Sequence, residues 1–380
     1  MSIRVLHVLE DFSSGNTGVT SVVRQIAKWQ ASRCDWVGVY STGSTDLPSP
    51  EGVHVHLEAI NPAYRGWRYP VSGGQQLSDL IRRMKVNVVH LHGLWRAAPL
   101  VAARVAKSAN VPTVLSVHGQ TSPWALSGQG RAKRLKKFLY WHWIARRLLG
   151  DVSALHAITP LERDHLRDFF KRSDSIVIPN AIDFQSQDAA HVFESPGRVF
   201  AFLGRLHPVK GVDLLIEAFS SANFPSEDWR LFLAGPVEVP EYVKHLKDLA
   251  SRSIRKNQIE FLGPVYGPEK LKLLQGAWAL IAPSHTEVIG MVNLEAGALQ
   301  VPSVTTYPTG LADWEEGGGL LINPSIDALR MALEEVSRWS QEDRNERGAR
   351  SADLVAARYS LNAVGPLWLD LYKNVLSMGS

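Results

Sequence analysis

The 380-residue sequence predicts an α/β protein built from two Rossmann-like, doubly wound parallel-sheet domains. Three observations carry this expectation. The chain is longer than the roughly 250–300 residues at which single cores stop growing. Short β-rich runs alternate with helical stretches through both halves, as in βαβ units. A polar stretch interrupts that alternation near the middle. With 45% hydrophobic and 21% charged residues, the chain can bury more than one core. Two such domains in series are expected to face a cleft at the carboxyl ends of their strands, where these folds bind ligands.

In the first half the β-rich runs are Arg4 to Leu9, Trp36 to Tyr40, Val53 to Leu57, Asn87 to Leu91, Thr113 to Val117, Ala154 to Ile158 and Ser175 to Ile178. Helices are expected between them at Thr20 to Trp29, Gln75 to Met84, Leu100 to Ala109 and Pro160 to Phe170. After Pro179-Asn180-Ala181-Ile182-Asp183 the chain turns polar at Gln185-Ser186-Gln187-Asp188 and then reads Ser195-Pro196-Gly197, which places the linker. The second alternation has strands near Val199 to Leu203, Arg230 to Leu233, Gln258 to Leu262, Ala279 to Ala282, Ser303 to Thr305 and Leu320 to Ile322. Its helices are expected at Val212 to Ser220, Pro240 to Ser251, Glu269 to Gln275, Ile289 to Leu299 and Ile326 to Ser340. The domains are therefore expected at 1–190 and 191–360. No solenoid repeat or low-complexity tract interrupts them.

Composition narrows the class. The single Cys34 cannot form an internal disulfide, and the opening Met1-Ser2-Ile3-Arg4-Val5-Leu6 does not read as a secretory leader, so a cytoplasmic protein is expected. No apolar run approaches the ~20 residues of a membrane-spanning helix, which leaves only surface contact with a bilayer. The formal charge of +4 is modest for this length.

Chemistry concentrates in the second half. A strand ending at Gly204 releases Arg205 at its carboxyl end, and Lys210 stands five residues on, at the mouth of the next helix. Two such cations can neutralise a diphosphate, the Arg by bidentate and the Lys by point-charge contact; a solvated pair flanking an ordinary turn fits equally. The stretch Ala282 to Ala296 runs from strand through loop into helix, with Glu287 in the loop and Glu295 one to two turns inside. Backbone N–H groups of Val288, Ile289, Gly290 and Met291 are then expected as unpaired donors at a helix N-terminus, a natural phosphate site. A carboxylate at Glu295 can accept from ribose hydroxyls. A capped helix with one loop and one surface carboxylate is the plainer alternative.

The order Gly204-Arg205…Lys210-Gly211, then Pro283-Ser284…Glu287-x7-Glu295-Ala296, then Val301-Pro302, resembles the retaining glycosyltransferases of family 4, which have the GT-B fold. The resemblance runs through most of the chain and is densest from Val199 to Pro324. It implies that Arg205 and Lys210 bind the donor diphosphate, that Glu295 holds the ribose and that Glu287 lies near the transferred sugar. Gly204 and the backbone of Val288, Ile289, Gly290, Met291 and Val292 line the donor site in this reading. The loop Ser13 to Thr20, with Gly15 and Gly18, is implied as a ligand contact from the other domain. His118, just past a strand end, matches the family's functional His at the transferred sugar. His90 and His92 are left as structural or acceptor-side residues. The resemblance also implies that 361–380, a helix interrupted near Gly365-Pro366, crosses back to the N-terminal domain.

No two Asp residues are separated by one residue, and no Cys/His grouping has zinc spacing, so no metal site and no cofactor are expected beyond a nucleotide-diphosphate sugar as co-substrate. The acceptor implied is a glycan or a polyprenyl-diphosphate-linked glycan, in bacterial exopolysaccharide or O-antigen synthesis. Three places depart from the pattern: Gln300 stands where the family has a Gly before x-Pro, Val288 where a Gly comes after the loop Glu, and Thr17-Gly18-Val19-Thr20 where the family has paired glycines followed by an acidic residue. Thr309 to Gly319 has the composition of a mobile loop at the cleft.

Between Arg131 and Arg147 the chain carries seven cations and no acid. At helical spacing Leu135, Phe138, Leu139, Ala145 and Leu149 share one face, and Trp141, Ile144 and Leu148 form a second stripe. One apolar face can enter the core while the rest of 131–149 meets an anionic membrane or lipid diphosphate; a solvated basic helix has similar standing. Rival readings are a phosphorylase or epimerase of the same fold, and an inactive nucleotide-sugar sensor or scaffold. No nucleic-acid partner is expected, because the basic stretch is local and no recognised nucleic-acid module accompanies it.

Overall fold

The computed structural model describes residues 2–13, 17–127, 131–183 and 198–378. The chain divides into two units, Met1–Ala181 with Leu361–Ser380, and Ile182–Ser360. The expected linker residues 185–188 and 195–197, and Gly15, lie outside the described residues.

In the first unit, strands β1 (Arg4–Leu9), β2 (Trp36–Thr42), β3 (His54–Glu58), β4 (Val88–His92), β5 (Thr113–Ser116), β6 (Ala154–Ala157) and β7 (Ile176–Val177) form one sheet. Its order is β3-β2-β1-β4-β5-β6-β7, with every pairing parallel. The strand order reverses between β1 and β4, the switch point of a doubly wound sheet. Helices α1 (Thr17–Ala31), α2 (Gln75–Arg83), α3 (Ala97–Ser108), α4 (Pro123–Ser127), α5 (Arg131–Tyr140), α6 (Arg146–Leu149) and α7 (Pro160–Phe170) connect the strands. Along β1, Leu6 and Val8 enter one core and Val5 and Leu9 the other, because successive side chains take opposite faces. Both faces are covered, so β4 is buried throughout, including His90 and His92.

The last helix, α14 (Leu361–Met378), closes the second of these cores with Val364, Trp368, Leu371, Tyr372 and Val375. The interruption expected near Gly365-Pro366 does not occur. Pro366 lacks the N–H that would bond the Asn362 carbonyl, but both residues are exposed, so water can satisfy that oxygen. Gly365 is needed for approach rather than flexibility: a Cβ there would lie 2.5 Å from the Trp29 ring of α1.

The basic segment also differs from expectation. A π turn at Trp141–Ala145 joins α5 to α6. Its extra residue rotates α6 about the helix axis by about 100° relative to α5. Ala145 and Leu149 face inward, but Leu135, Phe138 and Leu139, expected on the same face, are 58%, 54% and 46% exposed. Trp141 is buried and Trp143 is 81% exposed.

In the second unit, strands β8 (Val199–Leu203), β9 (Arg230–Ala234), β10 (Ile259–Gly263), β11 (Ala279–Ala282), β12 (Ser303–Thr306) and β13 (Leu320–Ile322) pair in the order β10-β9-β8-β11-β12-β13, again all parallel. The switch point lies between β8 and β11. The helices are α8 (Val212–Ser221), α9 (Pro240–Arg252), α10 (Gly267–Gln275), α11 (Met291–Ala298), α12 (Ile326–Ser337) and α13 (Gln341–Arg358). No element was expected for α13. Its buried face is Arg344, Gly348, Ser351, Leu354 and Val355, too polar and small for an apolar period, although Ser340 and Asp343 form a capping box.

Helix α11 starts two residues later than expected and ends in a Schellman motif: Gln300 N–H donates to Gly297 and Val301 N–H to Ala296. Gln300 adopts φ +58°, the left-handed conformation for which Gly is the usual residue. The segment Thr309 to Gly319 is packed: Thr309, Leu311, Trp314 and Gly317 are buried. Its glycines serve close packing, since a Cβ on Gly319 would lie 2.2 Å from Trp314 Nε1.

Candidate functional site

In the second unit the expected residues gather at the β8/β11 switch point. Gly204 comes directly after β8, and its carbonyl lies so close to Gly235 that a Cβ on the latter would sit 1.7 Å away. Arg205 is next, with Nη1 2.5 Å from Glu238 Oε2 in an exposed pair. Lys210 ends a short 3-10 turn, after which Gly211 takes φ +63° and abuts the Pro283 carbonyl. His285 N–H donates to Val209 O, which ties this turn to the loop after β11. Lys210 Nζ then meets Glu287 Oε2 at 2.8 Å, both side chains 16% exposed. Glu287 Oε1 accepts from Ser284 Oγ at 2.6 Å, so both its oxygens are engaged.

Glu295 lies about one turn inside α11 and pairs with Lys270 of α10 at 2.7 Å. The four expected amide donors are not all free. Gly290 N–H donates to Thr309 O and Met291 N–H to Ile289 O, because the loop curls tightly before the helix. The Val288, Ile289 and Val292 amides have no acceptor among the described residues. Gly290 is fixed by packing: a Cβ would lie 2.5 Å from Asn293 Nδ2, and buried Asn293 is held by Thr305 and Ser303. Glu238 and Lys270, the partners of Arg205 and Glu295, carry no motif and were not expected.

In the first unit, Gly18 is the second residue of α1 and a Cβ there would meet nothing within 4 Å. The fold itself therefore does not require a glycine at that position. His118 lies just after β5 with φ +51°, and Gly119 has φ +78°. Buried Glu162 fixes this turn by accepting from Gly119 N–H at 2.5 Å and Ile158 N–H at 2.7 Å. Burial pushes the Glu162 carboxyl up from its ordinary value.

Beneath His118 lies a buried polar group that sequence reasoning left largely unread. His92 Nδ1 is 3.0 Å from His118 Nε2, and His92 Nε2 is 3.0 Å from His7 Nδ1. His90 contacts Ser116 and Tyr372, and Ser116 contacts His156. Register explains the gathering: His92, Ser116 and His156 lie opposite one another on β4, β5 and β6, with His7 opposite His90 one row below. Alternation at His90-Leu91-His92 was the available signal, since residues two apart share a face. Burial lowers the pKa of His7 and His118 to about 4 and of His156 to about 3, with His90 and His92 also well below 6.5. His7, His90 and His92 each bring a ring nitrogen within 4.8 Å of the others, a clustering from two strands that chain spacing does not reveal.

Two parallel-sheet units of this topology, one with cations and carboxylates at its switch point, are the architecture of a GT-B glycosyltransferase. The model for "Glycosyl transferases group 1" matches residues 183–351 and that for "Glycosyltransferase Family 4" matches 16–186. The chain belongs to glycosyltransferase family 4. It is 26% identical over 392 residues to the GDP-mannose:cellobiosyl-diphosphopolyprenol alpha-mannosyltransferase of Xanthomonas oryzae, covering 99% of this chain and 98% of the other. It is 25% identical to the D-rhamnosyltransferase WbpZ of Pseudomonas aeruginosa over 90% of this chain and 87% of that one. Among solved structures, Anabaena Alr3699/HepE in complex with UDP and glucose superposes with a TM-score of 0.75 at 17% identity, covering 98% and 100% of the two chains, a likeness of fold.

Proposed function

We propose that this family member is a retaining, metal-independent hexosyltransferase, which moves a sugar from a nucleotide-diphosphate donor to a glycan or polyprenyl-diphosphate-linked acceptor in bacterial surface polysaccharide synthesis. The observation that carries this reading is the assembly of Arg205, Lys210, Glu287 and Glu295 at one strand switch point. Arg205 and Lys210 offset charge that grows on the departing diphosphate, the task a divalent ion performs elsewhere, and the open amides of Val288, Ile289 and Val292 add donors. Glu295 exchanges Lys270 for the ribose hydroxyls. Glu287, with both oxygens held by Lys210 and Ser284, orients the sugar and is poorly placed to attack carbon. The acceptor hydroxyl therefore attacks from the side the diphosphate leaves. Its oxygen bonds the anomeric carbon as the carbon–phosphate-oxygen bond breaks, and its proton passes to the leaving oxygen.

The enzyme works in the cytoplasm at an anionic membrane surface. No helix among the described residues is long and apolar enough to cross a bilayer. Exposed Leu135, Phe138, Trp143 and Ile144 stand among Arg134, Lys136, Arg146 and Arg147, a mixture suited to lying in the headgroup layer. The curated relatives act with GDP-mannose on a diphosphopolyprenol-linked glycan, or transfer D-rhamnose, which supports this class of donor and acceptor.

The test is transfer from a panel of nucleotide sugars to a synthetic polyprenyl-diphosphate glycan in the presence of EDTA, with NMR of the first-formed linkage. Transfer that survives chelation and keeps the anomeric configuration is expected. An inverted linkage, or loss that Mg²⁺ restores, refutes the mechanism. Binding without transfer to any acceptor indicates a sensor or scaffold.

A further inference from the structure

We propose that one buried hydrogen-bond chain of fixed polarity holds His118 with its proton on Nε2, so that its Nδ1 is an acceptor which requires a hydroxyl or N–H on the donor sugar. The sugar contact rests on the proposed function together with the place at the transferred sugar that the family resemblance implies for His118. The proton positions stand on the hydrogen-bond geometry of neutral rings and do not depend on that reading.

The chain begins at the Ile178 carbonyl, 2.7 Å from His156 Nε2. A carbonyl only accepts, so the His156 proton is on Nε2, and a neutral imidazole then has Nδ1 bare. That nitrogen, 2.7 Å from Ser116 Oγ, takes the single hydroxyl proton. Ser116 in turn must accept from His90 Nε2–H at 2.8 Å. His90 Nδ1 is thereby bare and accepts from the Tyr372 hydroxyl at 2.8 Å.

Tyr372 has spent its only proton, so its oxygen accepts from the Gln30 amide nitrogen at 3.4 Å. This settles the amide orientation, because a flipped Gln30 would demand a second proton from Tyr372. Gln30 Oε1 accordingly accepts from His7 Nε2–H at 2.8 Å. His7 Nδ1 accepts from His92 Nε2–H and His92 Nδ1 from His118 Nε2–H, each at 3.0 Å.

His118 ends the chain, and its Nδ1 bonds no described residue. Neutrality of all five rings, on which these proton positions depend, agrees with the depressed pKa values that burial imposes. The same bonds disfavour a metal at His7, His90 and His92, whose ring nitrogens already serve one another, Gln30, Ser116 and Tyr372.

Consequently Gln30, His7, His90, His92, Ser116, His156 and Tyr372 are positioning residues that fix what His118 can recognise. A hydroxyl that donates is accepted. Fluorine, an ether oxygen or a carboxylate at the same place faces a lone pair.

The experiment has two arms. In the ligand-free protein labelled with 15N-histidine, long-range proton–nitrogen correlation reads each ring's tautomer. All five rings are expected as Nε2–H, and a His118 protonated on Nδ1 overturns the proposal, as does displacement of these signals by one equivalent of Zn²⁺. In the second arm, Kd is measured for the donor nucleotide sugar and for deoxyfluoro analogues at each hydroxyl, so that effects of fluorine on bond breaking do not enter. One position is expected to lose about tenfold or more. Tyr372→Phe, which cuts the chain far from His118, should yield both His118 tautomers and reduce that discrimination about fivefold. Intact tautomers with no discriminated hydroxyl refute the sugar contact and leave the chain standing. Unchanged His118 nitrogen signals in Tyr372→Phe refute the chain as the determinant.

Discussion

Lys210 and Arg205 share a proposed task but sit in different environments, and that difference is measurable. Arg205 pairs with Glu238 at the surface, where such pairs contribute about 0–1 kcal/mol. Lys210 and Glu287 are both 16% exposed, so removing the cation leaves a half-buried carboxylate supported by Ser284 alone. Arg205→Ala and Lys210→Ala should each reduce kcat by roughly 10²–10³-fold. In denaturant titration only Lys210→Ala should lose stability, by about 1–2 kcal/mol. Near-normal turnover in either variant would remove it from the site.

The buried histidines give the second prediction at this scale. Their folded pKa values lie below the unfolded value of 6.5, at about 4 for His7 and His118 and about 3 for His156. Between these limits the unfolded chain binds more protons than the folded one, so stability rises with pH across that window. It is fully present above pH 6.5 and is lost as pH falls through about 4. Each pH unit is worth up to about 1.4 kcal/mol per histidine. The urea midpoint should therefore drop steeply from pH 6.5 to 4, and a flat profile would show that the rings are not held neutral.

At the scale of elements, the end of α11 stores a correctable strain. Gln300 closes the Schellman motif in the left-handed region, where a side chain costs about 1–2 kcal/mol. It is exposed and its side chain has no role in the motif. Gln300→Gly should stabilise the protein by about 1 kcal/mol, somewhat less than the strain because glycine loses more backbone entropy on folding. Thermal unfolding checks this, and a lowered Tm would mean that the side chain contributes something the fold does not display. Gly348 marks the same junction from the other side, since a Cβ there would lie 2.1 Å from the Gln300 carbonyl. The α5–α6 segment shows how one extra residue redistributes an element: without the π turn, Leu135 and Leu149 would share a face, and with it Leu149 is buried while Leu135, Phe138, Leu139 and Ile144 stay outside.

For the molecule as a whole, the proposed donor supplies the test. A ligand that binds only the folded state stabilises it by RT ln(1 + [L]/Kd), about 2.7 kcal/mol at one hundred times Kd. The correct nucleotide sugar should raise the unfolding midpoint most among those compared, and Lys210→Ala should abolish the shift. A shift that persists in Lys210→Ala would place the binding site elsewhere.

By itself the sequence determined the two alternating halves, most strand cores and the motif residues from Gly204 to Glu295, because parallel strands buried on both faces and short phosphate-type motifs are written in local order. It determined Arg205, Lys210, Glu287 and Glu295 as candidates on the same grounds, and His118 through the family resemblance. It did not reveal α13, whose buried face lacks an apolar period, or the unbroken α14, where solvent exposure tolerates Pro366. Tertiary structure alone decided the partners Glu238, Lys270 and Glu162, and the row that joins His92, Ser116 and His156. The physical reason is sequence separation. Strand register and the docking of α1 and α14 bring Gln30 and Tyr372 within reach of His7 and His90, a meeting that no local pattern encodes.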